Sequence, residues 1–197
     1  GSDPEVALTN IIIPESSNDI QKRTIKEIID GANSVFGPEG VKIVGGHTSL
    51  GKEMVIGFTL GGFSGKRPKT VDKACAGDQI ILTKPLGSGV LLAGEMRFES
   101  EGQDLKNLFD EMSKSQSSIA KVLSKAANAM TDITGFGLAG HLLNIISKSN
   151  VGAKLFLDEI PIYSGVNNLV ARDIRSSIFE NNYMYSERMF IKTNANI

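Results

Sequence analysis

Cysteine is almost missing from this chain. Cys75 stands alone among 197 residues, so an internal disulfide and a cysteine-rich zinc site are both excluded. Apolar runs fall short of the roughly 20 residues that span a bilayer. Neither sign of charge dominates: the formal net charge is -1, which gives no reason to expect a nucleic-acid or anionic-membrane surface. Internal repeats, low-complexity stretches and the Walker A pattern are lacking as well. These absences lead to the expectation of a cytoplasmic protein with neither nucleic-acid nor membrane partners. What is present is ordinary globular composition, with 41% hydrophobic and 22% charged residues, in a chain long enough to bury a core.

Periodicity predicts a strand over residues 8–13, stopped by Pro14, then a helix after the capping run Ser16-Ser17-Asn18-Asp19. Its apolar stripe is Ile25, Ile28, Ile29, Ala32 and Phe36, and Gly37-Pro38 ends it. Lys22, Arg23 and Lys26 read as its solvated face. A short strand over 41–44 runs into Gly45-Gly46-His47-Thr48, and residues 54–60 alternate like a half-buried strand. The polar run Gly65-Lys66-Arg67-Pro68-Lys69 interrupts the pattern and places a domain boundary near Lys73, giving parts 1–72 and 73–197. Beyond it the pattern predicts a buried strand over 79–83 and a glycine turn into a helix through Ala93. One long amphipathic helix is expected over 105–126, carried by Leu108, Met112, Ile119, Val122 and Ala126. A buried strand, glycine turn and helix then span Met130 to Ile145, a further strand covers 154–157, and 165–171 is helical. The tail 181–197 has no clear period. Strands alternating with helices, beside one antiparallel-type strand, predict an α+β or mixed α/β fold in two parts.

Three segments carry candidate chemistry. Asp132 precedes Thr134-Gly135-Phe136-Gly137, where a tight turn and a helix start bring a carboxylate and free amides together. That combination suits a divalent cation meeting phosphate groups; equally, Asp132 is a favoured residue for capping the turn. Gly45-Gly46 lets the backbone approach a ligand and Thr48 adds a hydroxyl, although a Gly-Gly pair after a strand is often only a turn. Lys84-Pro85-Leu86-Gly87-Ser88-Gly89 is either a phosphate contact or simply a proline- and glycine-shaped start to a helix. His141, set among Leu138, Leu142 and Ile145, reads as a hydrogen-bonded structural histidine, and Cys75, between two alanines, as inert.

Taken in order, Gly45-Gly46-His47-Thr48, Ala76-Gly77-Asp78, Leu82-Thr83-Lys84-Pro85-Leu86-Gly87 and the string from Thr131 to Leu142 resemble the selenophosphate synthetase (selenide, water dikinase) family. The likeness runs from residue 7 to residue 188. It implies the architecture shared with aminoimidazole-ribonucleotide synthetase: an N-terminal ATP-binding half that dimerises through a β-barrel, and a C-terminal α/β half. It implies ATP, selenide and water as substrates, with selenophosphate, phosphate and AMP as products, and Mg2+ as the metal. By the same resemblance Gly46, His47 and Thr48 contact ATP in a site shared between the subunits of a homodimer, and Asp132 ligates magnesium.

The family's reactive cysteine or selenocysteine, its nearby lysine and most of its metal-binding aspartates precede the stretch that resembles this chain. A further piece follows it. The expectation is therefore a fragment of the enzyme, without a catalytic residue of its own and inactive in isolation. The alternatives are another ATP-dependent enzyme of the same superfamily, or a dimerisation scaffold without chemistry.

Overall fold

The strand expected over 8–13 extends to β1 (Asp3–Pro14), the middle of a three-stranded sheet. On one side lies β2 (Lys42–Gly51), parallel to it, and on the other β3 (Val55–Phe63), antiparallel. This computed structural model describes residues 3–63 and 68–188. The chain forms two compact units, Gly1–Pro68 and Lys69–Ile197. Gly65-Lys66-Arg67, from the expected boundary region, and residues 189–197 of the tail lie outside the described residues.

Alternation decides which face of the sheet is covered. Ala7, Ile11 and Ile13 are buried, on the side where α1 (Asn18–Phe36) packs. The predicted stripe of that helix is its less exposed face, with Ala32 buried. Phe36 meets Phe58 of β3 edge-to-face, with ring centroids 5.3 Å apart. The opposite side of α1 carries the surface pairs Arg23–Glu27 and Lys26–Asp30. Val6, Leu8, Asn10 and Ile12 point to the other face of the sheet. There Val6, Leu8 and Val55 remain 40–49% exposed.

In the second unit α2 (Ser88–Glu95), α3 (Gly102–Met112) and α6 (Val166–Ala171) enclose a core of Leu91, Ala93, Leu108, Val166, Leu169 and Ile174. The remaining helices are α4 (Ser117–Ala126), α5 (Gly137–Ser149) and α7 (Phe179–Tyr183). The mixed α/β class holds, with its ladders confined to the first unit among the described residues. No helix there is long and apolar enough to cross a membrane.

Four expected elements differ. Residues 79–83 and 154–157 form no ladder, and Ile80, Ile81, Phe156 and Leu157 are exposed. An apolar run becomes a strand only where a neighbour supplies hydrogen bonds, and the isolated bridge nearby joins Leu86 to Ile162 instead. The long helix is broken into α3 and α4. Residues 130–134 are irregular and mostly exposed rather than a buried strand; a backbone bond from Met130 to the Thr70 carbonyl, 3.3 Å long, anchors their start.

Candidate functional site

The Gly45-Gly46-His47-Thr48 segment is not a turn. It lies inside β2, paired with residues 8–11 of β1, and a register shift between Ala7 and Leu8 leaves Val44 as the extra residue. Gly46 serves this pairing: a Cβ there would sit 2.3 Å from the Thr9 carbonyl oxygen. The glycine is needed because another backbone approaches closely. His47 lies opposite Asn10, so both side chains belong to the open face of the sheet; Thr48 lies opposite Ile11, on the helix-covered face.

Asp132 belongs to the second unit and is exposed. No described side chain bonds its carboxylate, and its carbonyl accepts a bond from the Thr131 hydroxyl at 3.2 Å. The turn that follows is held by other groups. Thr134 donates its amide to His141 Nε2 at 3.1 Å, with the Thr134 hydroxyl 3.2 Å from the same nitrogen. An amide can only donate, so Nε2 carries the lone pair and the imidazole proton is on Nδ1. His141, half-buried on α5, is thus the structural histidine expected from its helical setting. Gly137 closes the turn with an amide bond to the Thr134 carbonyl at 3.0 Å. Its φ of +64° is one that glycine adopts without strain.

One contributor has no signal in the sequence. Asn182, forty-seven residues beyond, donates its side-chain amide to the Gly135 carbonyl at 2.7 Å. The Phe136 ring packs edge-on to Tyr185 with centroids 6.3 Å apart. A Cβ on Gly140 would meet Phe136 at 2.8 Å and Tyr185 at 3.0 Å. Backbone angle therefore calls for glycine at Gly137, and chain packing calls for it at Gly140, one turn into α5.

Lys84, a candidate phosphate contact, points elsewhere. Its ammonium donates to the main-chain carbonyls of Glu111 and Lys114 at the end of α3. Close by, burial pushes the Tyr163 phenol above its ordinary pKa, with the Glu111 carboxylate adding to the effect. Asp78 accepts the Cys75 amide and the Asn128 side-chain amide, each at 2.8 Å, so it organises its own turn. Cys75 is exposed. Among the described residues no three His, Cys, Asp or Glu side chains converge as a metal-binding group.

Chemically, the second unit offers the unengaged carboxylate of Asp132 between two backbone anchors, and the first offers an open sheet face bearing His47 and Asn10. Residues 76–191 match the family described as AIR synthase related protein, C-terminal domain. Over 164 residues the chain is 32% identical to a selenide, water dikinase of Shewanella sp. (strain MR-4), covering 82% of this chain and 46% of that protein. With the selenide, water dikinase of Bdellovibrio bacteriovorus it shares 28% over 191 residues, which is 95% of this chain and 54% of that one. The chain thus spans about half the length of these curated relatives. Two solved structures share the fold: thiamine-monophosphate kinase from Stenotrophomonas maltophilia (TM-score 0.72, 19% identity, 95% of this chain and 66% of that one) and a hydrogenase maturation protein HypE (0.71, 21%, 87% and 55%). The match over residues 76–191 takes in more than half of the sequence, and the chain belongs to the AIR synthase related family.

Proposed function

We propose that this chain is the ATP- and magnesium-handling part of a selenophosphate synthetase, in which ATP, selenide and water yield selenophosphate, phosphate and AMP. The relatives named selenide, water dikinase support the substrate class. ATP as the phosphoryl donor is in keeping with the shared fold, which in one thiamine-monophosphate kinase holds AMPPCP. A cytoplasmic setting, where ATP is plentiful, goes with this reading.

The observation that carries the assignment is the state of Asp132. Its carboxylate makes no bond to a described side chain, while His141 takes the turn amide that a capping aspartate would claim. The capping explanation therefore loses its support, and the carboxylate is available to a cation. A single carboxylate suits magnesium, which takes one or two of them together with phosphate oxygens and water. The metal would supply charge neutralisation on the transferring phosphoryl group. Asp132 would contribute a hard oxygen ligand and His47 a side-chain contact to the nucleotide, with Gly46 and Thr48 offering main-chain groups, since the side chains of His47 and Thr48 lie on opposite faces of the sheet. The open face bearing His47 supports a homodimer in which that segment meets a nucleotide shared between subunits.

Titration calorimetry with ATP in the presence and absence of magnesium tests this. Magnesium-dependent binding is expected, and Asp132→Ala should weaken it about tenfold or more, at least what loss of a ligand's supporting partner costs. Equal affinity in the two proteins would remove Asp132 from the site.

A further inference from the structure

We infer that Asn182 is a positioning residue for Asp132: its side-chain amide, 2.7 Å from the Gly135 carbonyl, ties the turn after that carboxylate to the segment around α7. The inference rests on Asp132 as a magnesium ligand and extends that reading to a residue outside the motif.

Asp132 belongs to no strand ladder, and no described side chain grips its carboxylate, so its direction is set by the backbone on either side. Upstream, the anchor is the Met130 amide on the Thr70 carbonyl. Downstream, the turn 134–137 is held at three points: the Thr134 amide on His141, the Gly137 amide on the Thr134 carbonyl, and the Gly135 carbonyl under Asn182. The first two bonds are local to the turn and the start of α5. Among the described residues, only the hydrogen bond from Asn182 ties the turn to a distant part of the chain. Its neighbours tighten the same junction. A Cβ on Gly135 would meet Ile178 at 3.3 Å, and Tyr185 packs against Phe136. A ligand set with one protein carboxylate depends on that carboxylate's aim, so the group that fixes the turn tunes the affinity.

The test uses the whole chain and the near-isosteric Asn182→Leu, which keeps the shape and removes the donor. Backbone amide exchange at Thr134 and Gly137 should quicken about five- to tenfold, the size of one lost hydrogen bond. Calorimetric affinity for ATP with magnesium should fall about fivefold, with the urea midpoint lowered by no more than one lost hydrogen bond accounts for. Asn182→Gln, which keeps the donor, should recover part of both. If Asn182→Leu does not fold, Asn182→Asp removes the donor at nearly constant volume and takes its place. Unchanged exchange at Thr134 and Gly137 overturns the inference. So does wild-type affinity in the Asn182 variant when Asp132→Ala binds weakly. If Asp132→Ala itself binds as wild type does, the metal-ligand reading fails, and the exchange result alone then decides whether Asn182 holds the turn.

Discussion

Gly46 and Gly45 are adjacent and chemically identical, yet the sheet treats them differently. A Cβ on Gly46 would lie 2.1 Å from Thr9 Oγ1 and 2.3 Å from its carbonyl oxygen, whereas one on Gly45 would meet only Leu8 Cδ2 at 3.5 Å. Gly46→Ala is therefore expected to cost about 3 kcal/mol, because backbone must move. Gly45→Ala should stay within about 1 kcal/mol of wild type, and relief of glycine's entropy cost acts in its favour. Urea unfolding of the two variants checks the difference; equal midpoints would mean that β1 and β2 are not in this register. The contrast also marks what the sequence could convey at this scale. A Gly-Gly pair after an apolar run reads as a turn because nothing local reveals a paired strand. The reason for Gly46 is Thr9, thirty-seven residues earlier in the chain. The glycine turn makes Asp132 a candidate in the sequence, whereas nothing there points to Asn182, since its partner is a carbonyl and any residue type supplies one.

At the level of elements, the break between α3 and α4 follows the same logic. Leu108, Met112, Ile119 and Val122 keep helical spacing straight through it, so periodicity alone predicts one helix over 105–126. The interruption at residues 113–116 is stabilised from outside by Lys84, which donates to the Glu111 and Lys114 carbonyls, and from within by the Ser113 hydroxyl, which donates to the Phe109 carbonyl at 2.7 Å. A cation at the last carbonyls of α3 also meets the negative end of its dipole. Lys84→Met keeps most of the stem and removes the charge, so it should destabilise the second unit by about 1–2 kcal/mol, the worth of charge-assisted bonds at a partly exposed site. Lys114→Met, which loses only a surface partner in Glu111, should leave the unfolding midpoint where it is. Circular dichroism during urea titration measures both, and equal effects of the two substitutions would remove Lys84 from this role. The α1 stripe, by contrast, was fully legible, because its packing partner is the strand that immediately precedes it. The strands expected at 79–83 and 154–157 do not form for the complementary reason: strand character belongs to a pair, and a single sequence displays only one member.

For the molecule as a whole, the consequential feature is the sheet face that α1 does not cover. Leu8 sits at its centre, flanked across the ladder by Gly45 and Thr59, so its side chain stands above small neighbours and is 49% exposed. Val6 is the next residue on this face of β1, and Asn10 with His47 separates these two from the Ile12–Val55 pair. Exposed apolar side chains grouped with polar ones on one sheet face suit an interaction surface. In the homodimer proposed above, a second copy covers it, and a two-fold arrangement places Leu8 in the interface twice. Leu8→Lys then introduces two charges that must be desolvated. At about 1.4 kcal/mol per copy, dissociation should strengthen about a hundredfold. Lys22→Ala, on the solvated face of α1, should leave association unchanged. Sedimentation velocity across a concentration series reads the outcome directly. A wild-type chain that stays monomeric at every concentration, or a Leu8→Lys variant that associates as wild type does, would transfer the role of this face to another partner and leave His47 without a shared nucleotide to meet.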